Sequence, residues 1–377
     1  MQGNGLASSA RRTVQYLKEA GEDVRVLSGP NPDPNGPQPD FLLKRFDFPF
    51  VQPIVTAQGY QFAASVPEVM EEAVRWADVV HLEEPFVIED RLIKIAEKQG
   101  KPISATYHLH PENITNSLGP LRNWKGLNRK ILRSWCDLTF SHCSFVQCPT
   151  ENVQDRLRRY HLPNPTYVIS NGVEPDESIR PVDPPKGYDD PERPLHVVYI
   201  GRLTLEKDQD TLLDAMRYSK FARRIQLHFA GKGPDERRIK RKAHKLFTDG
   251  VLAYDPVFTF EDRNGLRRLA AEADLCVHCA TVEVEGLSIM EAMQQGVVPI
   301  IAAGRYSGTS QFAIDKRSVF PERNPEALAH RIDYWLSHPA ERWVTGQRYV
   351  EHMQQYNIRR SVEQLIVLFK QVTGISE

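Results

Sequence analysis

Strands and helices alternate twice over along this chain, which predicts an α/β protein of two Rossmann-like domains facing a cleft. Three observations carry that expectation. Short apolar runs of strand length recur, each followed by a stretch with apolar residues at helical spacing. A segment rich in proline and charge, EPDESIRPVDPPKGYDDPERP (174–194), interrupts the alternation near the middle. The length of 377 residues suits two domains at roughly 100–200 residues each.

In the first half, residues 13–19 have helical spacing and DVRVLSG (23–29) reads as a strand. A helix over 67–76 opens on proline and leads to the strand ADVVHL (77–82). The helix 88–100 ends at Gly100, and PISATYHLH (102–110) follows as a strand. DLTFSHC (137–143) reads as another strand. Thr150 suits the N-cap of ENVQDRLRRY, whose first turn is acidic. TYVISNG (166–172) then reads as a strand and turn. The second half restarts with the strand 196–202, the helix 208–219, the strand 225–233 and the helix 235–247. The strand 273–280, the helix 288–296 and the strand 297–303 follow, and 325–338 and 340–370 read as terminal helices. Alternation of this kind builds parallel sheets with helices on both faces. The expected boundaries are 1–175 for the first domain, 176–194 for the linker and 195–354 for the second. A helix over about 355–377 is expected to pack back on the first domain.

The composition excludes several classes. A net charge of −1 leaves no global field for nucleic acid. No run of 18 apolar residues is present, so no spanning helix is expected. Five cysteines in a chain this long do not form a disulfide scaffold, and reduced thiols fit the cytoplasm. Cys276 and Cys279 form a C-x-x-C, but no second pair lies at zinc spacing. They read as small apolar residues at a buried strand, and no metal site is expected.

The strongest chemical signal is TVEVEGLSIMEAMQQG (281–296). A strand runs out, the chain turns at Gly286, and a helix begins near Leu287 and Ser288. Free amides at a helix start bind phosphate, and glycine lets the backbone approach a ligand. Glu291 sits one turn into the helix, where a carboxylate can accept from ribose hydroxyls. Glu283 precedes the turn and can face a sugar. In YIGRLTLEKDQDTLLDAM (199–216), Gly201 precedes Arg202 and Lys207, a planar fork and a point charge suited to phosphate. FAGKGPDE (229–236) adds a turn at Gly231 and Gly233. SATYHLHPEN (104–113) puts His108 and His110, then Glu112 and Asn113, beyond a strand. VISNGVEP (168–175) holds an Asn-Gly turn. At the start, Gly3, Asn4 and Gly5 form a glycine loop before a helix.

These motifs resemble the family 4 glycosyltransferases, the glycosyl transferases group 1, which have the two-domain GT-B fold. Glu283, Gly286, Leu287, Glu291, Ala292, Met293 and Gly296 match the family's E-x-F-G-L-x-x-x-E-A-M-A-x-G-x-P-V. Departures are Glu285 in place of the common phenylalanine, and Val298, with Pro299 one residue late. The run from Gly201 is similar to G-R-x-x-x-E-K-G, with Asp208 replacing the last glycine. Thr106-Tyr107-His108 resembles the family's T-x-H. The glycine loop at the start resembles the first loop of the family, where a central hydrophobic strand precedes it. That strand is expected ahead of Met1, as though the start codon were placed late or the gene truncated.

The resemblance implies a retaining, metal-independent hexosyl transfer from a nucleotide-diphosphate sugar to an acceptor hydroxyl, without a cofactor and with UDP favoured over GDP. It implies catalytic roles for His108, Arg202, Lys207 and Glu283. It implies donor-binding roles for Gly3, Asn4, Gly5, Gly201, Gly231, Gly233, Gly286, Leu287, Ser288 and Glu291. The acceptor is a glycan or is lipid-linked, as in polysaccharide or glycolipid biosynthesis. LRNWKGLNRKILRSW (121–135) mixes Trp124 and Trp135 with Arg122, Lys125, Arg129, Lys130 and Arg133. Such a basic helix suits the anionic inner face of a membrane, whereas RRIKRKAHK (237–245) reads as a solvated face. Two alternatives stay open: a non-catalytic or truncated relative acting as a binding protein, and another enzyme of the same fold such as a nucleotide-sugar epimerase. A phosphorylase would need a pyridoxal lysine context that is not found.

Overall fold

A computed structural model describes residues 5–31, 33, 35–46, 62–116, 124–176 and 183–375. The chain divides into two compact units, residues 1–171 with 358–377, and residues 172–357.

In the first unit, helix α1 (Gly5–Glu19) precedes short strands β1 (Leu27–Ser28) and β2 (Phe41–Leu42), which pair in parallel. Strands β3 (Arg45–Phe46) and β4 (Phe62–Ala63) pair antiparallel. The main sheet is parallel and runs β5 (Val80–Leu82), β6 (Ile103–Thr106), β7 (Phe145–Cys148), β8 (Thr166–Val168). Helices α2 (Pro67–Trp76) and α3 (Val87–Lys98) flank β5 in sequence. The one-turn α4 (Pro111–Thr115), the longer α5 (Lys125–Leu138) and α6 (Glu151–Arg158) follow. The C-terminal helix Ile358–Thr373 returns to this unit. Its Ile358 and Val362 pack on Tyr16 and Leu17 of α1, and its Leu365 and Leu368 on Phe145 and Ile169.

Two sequence expectations change here. Only Leu27–Ser28 of 23–29 pairs as a strand. The stretch 137–143 is the end of α5 and a 3-10 turn (Phe140–His142), and the strand starts at Phe145. Buried Leu132, Trp135 and Cys136 keep helical spacing and carry α5 through Leu138, which is exposed. Buried Phe140 and Cys143 belong to the turn and had mimicked a strand's apolar content.

The second unit is one six-stranded parallel sheet. Its strands are β9 (Leu195–Ile200), β10 (Ile225–Ala230), β11 (Val257–Thr259), β12 (Leu275–His278), β14 (Val298–Ala303) and β16 (Val319–Pro321). A separate parallel pair, β13 (Val282–Glu283) and β15 (Tyr306–Ser307), lies apart from it. The spatial order β11-β10-β9-β12-β14-β16 is third, second, first, fourth, fifth, sixth in chain order. That is the order of a dinucleotide-binding Rossmann sheet. Central strands of such a sheet are covered on both faces and read as continuous apolar runs. Val197, Val198 and Tyr199 of β9 are fully buried, each contributing about 1.5–3 kcal/mol of the kind apolar burial gives. Helices α7 (Gln209–Ala215), α8 (Glu236–Thr248), α9 (Arg263–Ala271), α10 (Leu287–Gln294), α11 (Pro325–Ser337) and α12 (Pro339–Met353) complete the unit. The expected helix 340–370 is broken at Gln354–Tyr356, where one unit gives way to the other.

Candidate functional site

In an open parallel sheet, a crevice forms where neighbouring strands send their connections in opposite directions. In the second unit that point lies between β9 and β12, which pair side by side while β9 connects to β10 and β12 to β14. Arg202 and Lys207 follow β9, and Glu283 follows β12. The topology therefore brings three of the four residues expected to be catalytic to one place.

Local bonds hold them there. The carbonyl of Glu206 accepts from the Thr281 amide at 2.9 Å and from its hydroxyl at 3.2 Å. This bolts the 3-10 turn Leu205–Lys207 to the end of β12. The Glu206 carboxylate accepts from Thr204 at 2.7 Å and lies 3.4 Å from Arg202, whose side chain is 43% exposed. Lys207 donates to the Glu283 carboxylate, and both side chains are largely buried. His278, the last residue of β12, places Nε2 3.7 Å from the same carboxylate. Burial pushes the Glu283 carboxyl up, but Lys207 and then His278 outweigh it and hold it below the usual range. Burial drives His278 down to about 4, against the pull of Glu283, so its imidazole is neutral near pH 7. Arg202 is thus the exposed cation of the group, and Lys207 is the cation already committed to a carboxylate.

The glycine turn lies against this loop. The Gly201 amide donates to the Ala230 carbonyl and the Leu203 amide to that of Lys232, both at 3.0 Å. A Cβ at Gly231 would sit 2.1 Å from the Gly201 carbonyl oxygen, so the approach excludes every other residue. Gly233 lies beside Leu203 in the same turn. Asp208 takes φ +51° and ψ +44°, the left-handed region. That backbone state explains the glycine that the family motif places there. Asp208 tolerates it while its carboxylate accepts from the Thr211 hydroxyl at 2.7 Å.

Helix α10 starts after Gly286, which has φ +92°. Leu287 and Ser288 are its first two residues, ahead of the first intrahelical bonds from Ile289 and Met290 to the Gly286 carbonyl. The Ser288 hydroxyl donates to the Ile200 carbonyl at 3.0 Å and ties the helix start to the end of β9. Glu291 lines a recess with Ile200, Arg263, Leu266 and Ser288. Arg263 of α9 approaches Glu291 to 3.7 Å and also pairs with Glu174. Glu285, which stands where phenylalanine is common, is 2% exposed.

The first unit is a separate body. There His108 follows β6, and its Nε2 lies 2.5 Å from Glu83, which follows β5. His110 is a structural residue. Its Nδ1 accepts from Arg156 at 2.9 Å and lies 3.0 Å from the Tyr107 hydroxyl, while its amide donates to the Asn113 side chain at 3.0 Å at the start of α4. Glu112 is buried on Arg156 at 2.9 Å. Glu112 is thus engaged by Arg156, and Asn113 by the His110 amide. Gly5 opens α1, while Gly3 and Asn4 lie outside the described residues. On α5, Trp124 is exposed, as are Lys125, Arg129, Lys130 and Arg133. Trp135 is buried instead, edge-on to Phe86, and Arg122 lies outside the described residues. On α8, Arg238 and Lys242 pair with Asp210, and Lys242 also with Asp214, as a stitched face would.

Sequence reasoning missed Glu83, Glu206 and His278. Each lies at or just beyond a strand end, the place where ligand-facing groups gather in such sheets. That position was the available signal. No helix among the described residues is long and apolar enough to cross a membrane.

A family model described as Glycosyltransferase Family 4 matches residues 3–177, and one described as Glycosyl transferases group 1 matches residues 185–356. The chain is 24% identical over 314 residues to the alpha-monoglucosyldiacylglycerol synthase of Streptococcus pneumoniae, covering 80% of this chain and 68% of that protein. It is 25% identical over 318 residues to the sulfoquinovosyl transferase SQD2 of Arabidopsis thaliana, covering 80% and 56%. The solved sucrose-phosphate synthase of Thermosynechococcus elongatus shares the fold, with a TM-score of 0.69 over 99% of this chain and 94% of its own, at 18% identity. With the two models spanning both units and the donor-side motifs assembled in the second, the chain belongs to the family 4 glycosyltransferases of the GT-B fold and is by class a hexosyltransferase.

Proposed function

We propose that this chain transfers a hexosyl group, with retention, from a nucleotide-diphosphate sugar to a hydroxyl of a lipid-linked or glycan acceptor. One observation supports it above the others. Arg202, Lys207 and Glu283 converge at the switch point of the Rossmann sheet, in the same unit as the amides of Leu287 and Ser288 at the start of α10. A diphosphate leaving group gains negative charge as the glycosidic bond breaks. Fixed cations and a helix N-terminus stabilise that charge without a metal. Arg202, the more exposed of the two cations and only loosely paired with Glu206, can fork onto phosphate oxygens. Lys207 is held by Glu283, which then serves to position the sugar rather than attack it. Glu291 takes the ribose hydroxyls, and Gly201, Gly231 and Gly233 let backbone approach the nucleotide. UDP is the proposed nucleotide ahead of GDP.

For the acceptor, the exposed basic face of α5 with Trp124 supports peripheral contact with an anionic membrane. The names of the synthase and sulfoquinovosyl transferase relatives point the same way, toward a glycolipid.

The test is a transfer assay with UDP-, GDP- and ADP-hexoses over vesicles carrying diacylglycerol or polyprenyl-linked acceptors. The product is identified by mass, and its anomeric configuration by NMR. Failure to turn over any nucleotide sugar would return the protein to a binding role. Vesicle sedimentation with Lys125, Arg129, Lys130 and Arg133 changed to Glu tests the membrane contact: binding to anionic vesicles should be lost and donor binding kept.

A further inference from the structure

Glu83 belongs to no family motif noted above, yet it makes a close polar contact with His108. Its Oε2 lies 2.5 Å from His108 Nε2, and the imidazole side chain is 6% exposed. An ionised carboxylate can only accept. Burial pushes the Glu83 carboxyl up, but His108 by charge and by hydrogen bond, and His81 beyond it, hold it below the usual range. Nε2 of His108 therefore carries a proton, and in the neutral imidazole Nδ1 is the unprotonated nitrogen.

The Glu83 loop is itself braced. His81 on β5 has Nδ1 2.9 Å from the Ser104 hydroxyl and Nε2 2.8 Å from that of Thr106. Thr106 donates to Gln147 at 2.7 Å, and Gln147 donates to the Ile169 carbonyl at 2.9 Å. This polar layer crosses β5, β6 and β7 and ends just past β8. Glu84, on the same loop, is coupled by charge to both His108 and Glu83.

We propose that Glu83 is the positioning residue of His108: it accepts from Nε2–H and so fixes the tautomer and ring orientation of the imidazole on which the role of His108 depends. The proposal rests on the catalytic role that the family resemblance implies for His108. A carboxylate behind an imidazole fixes both its tautomer and its ring orientation, and loss of such a partner costs from about 10–100-fold at metal-bound imidazoles to about 10⁴-fold in a catalytic triad.

The experiment compares Glu83→Ala, Glu83→Gln, His108→Ala and the Glu83→Ala/His108→Ala double variant. Long-range proton–nitrogen NMR reads the His108 ring directly and needs no turnover. The native chain should show the Nε2–H pattern, and Glu83→Ala should populate both tautomers. In the transfer assay, Glu83→Ala should lower kcat about 10–100-fold with a smaller change in donor KM. Glu83→Gln keeps the side-chain shape, but its amide can donate to Nε2 as well as accept from it, so it should also populate both tautomers and should not restore the rate. The double variant should be no slower than His108→Ala. An unchanged tautomer in Glu83→Ala overturns the proposal, and so does an additive double variant. If the native chain turns over no nucleotide sugar, the proposed function fails, while the NMR result still decides the role of Glu83.

Discussion

The Lys207 ammonium sits on the Glu283 carboxylate, joining residues 76 positions apart at the switch point of the second unit. The pair is enclosed, with Lys207 14% and Glu283 19% exposed. Removing one member of such a pair leaves a charge without its partner, which costs more than removing both. Lys207→Met should therefore lower the melting temperature, and Lys207→Met/Glu283→Gln should restore part of the loss. Activity should not follow stability. Both variants should lose about 10²–10³-fold in kcat, as expected when a fixed charge at a developing anion is deleted. Thermal unfolding beside initial rates checks this. A double variant that regains activity along with stability would reduce the pair to a structural brace.

The residue after Lys207 offers a second test. Asp208 holds a left-handed backbone, φ +51°, where a side chain costs about 1–2 kcal/mol. Its carboxylate offsets part of that through Thr211. Asp208→Gly should leave stability within about 1 kcal/mol of the native chain, because relief of strain opposes loss of the bond. Asp208→Ala keeps the strain and loses the bond, so it should be the least stable of the three. Urea midpoints give the order. Asp208→Ala matching Asp208→Gly would contradict the backbone assignment.

These positions show what could be read without coordinates. The start of α10 was legible because Gly286, Leu287 and Ser288 are a local signal, with the turn and the helix in one short run. The Rossmann order was legible as alternation, and short connections leave few topologies. The conformation of Asp208 was not legible from residue type alone, since aspartate adopts φ > 0 only at particular places. Its pointer was the glycine of the family motif. Trp124 and Trp135 were read together as a membrane face, yet helical phase turns Trp135 inward beside Leu132 and Cys136. The contact between Glu83 and His108 was hidden for another reason. It depends on which strand lies beside β6, and pairing of β5 with β6 is a fact of topology rather than of either segment.

Stability should also depend on pH through the acidic residues that follow β5. Burial and the neighbouring Glu84 raise the Glu89 carboxyl from its ordinary 4.5 to about 9. Burial raises Glu84 to about 7, against the pull of His108. A carboxyl raised on folding favours the protonated folded state. Its contribution is complete below the unfolded value near 4.5 and is lost as pH rises through the folded value. Glu84 should thus withdraw its contribution between pH 4.5 and about 7, and Glu89 between pH 4.5 and about 9. Glu89→Gln mimics the protonated carboxyl at every pH. Its advantage in melting temperature over the native chain should be small at pH 5 and grow steadily toward pH 9. Glu84→Gln should show the same growth but level off near pH 7. The measurement is a set of melting curves at constant ionic strength, so that screening does not vary with pH. A Glu89→Gln advantage that is constant from pH 5 to 9 would mean that Glu89 is ionised throughout, held by a cation rather than neutralised by burial.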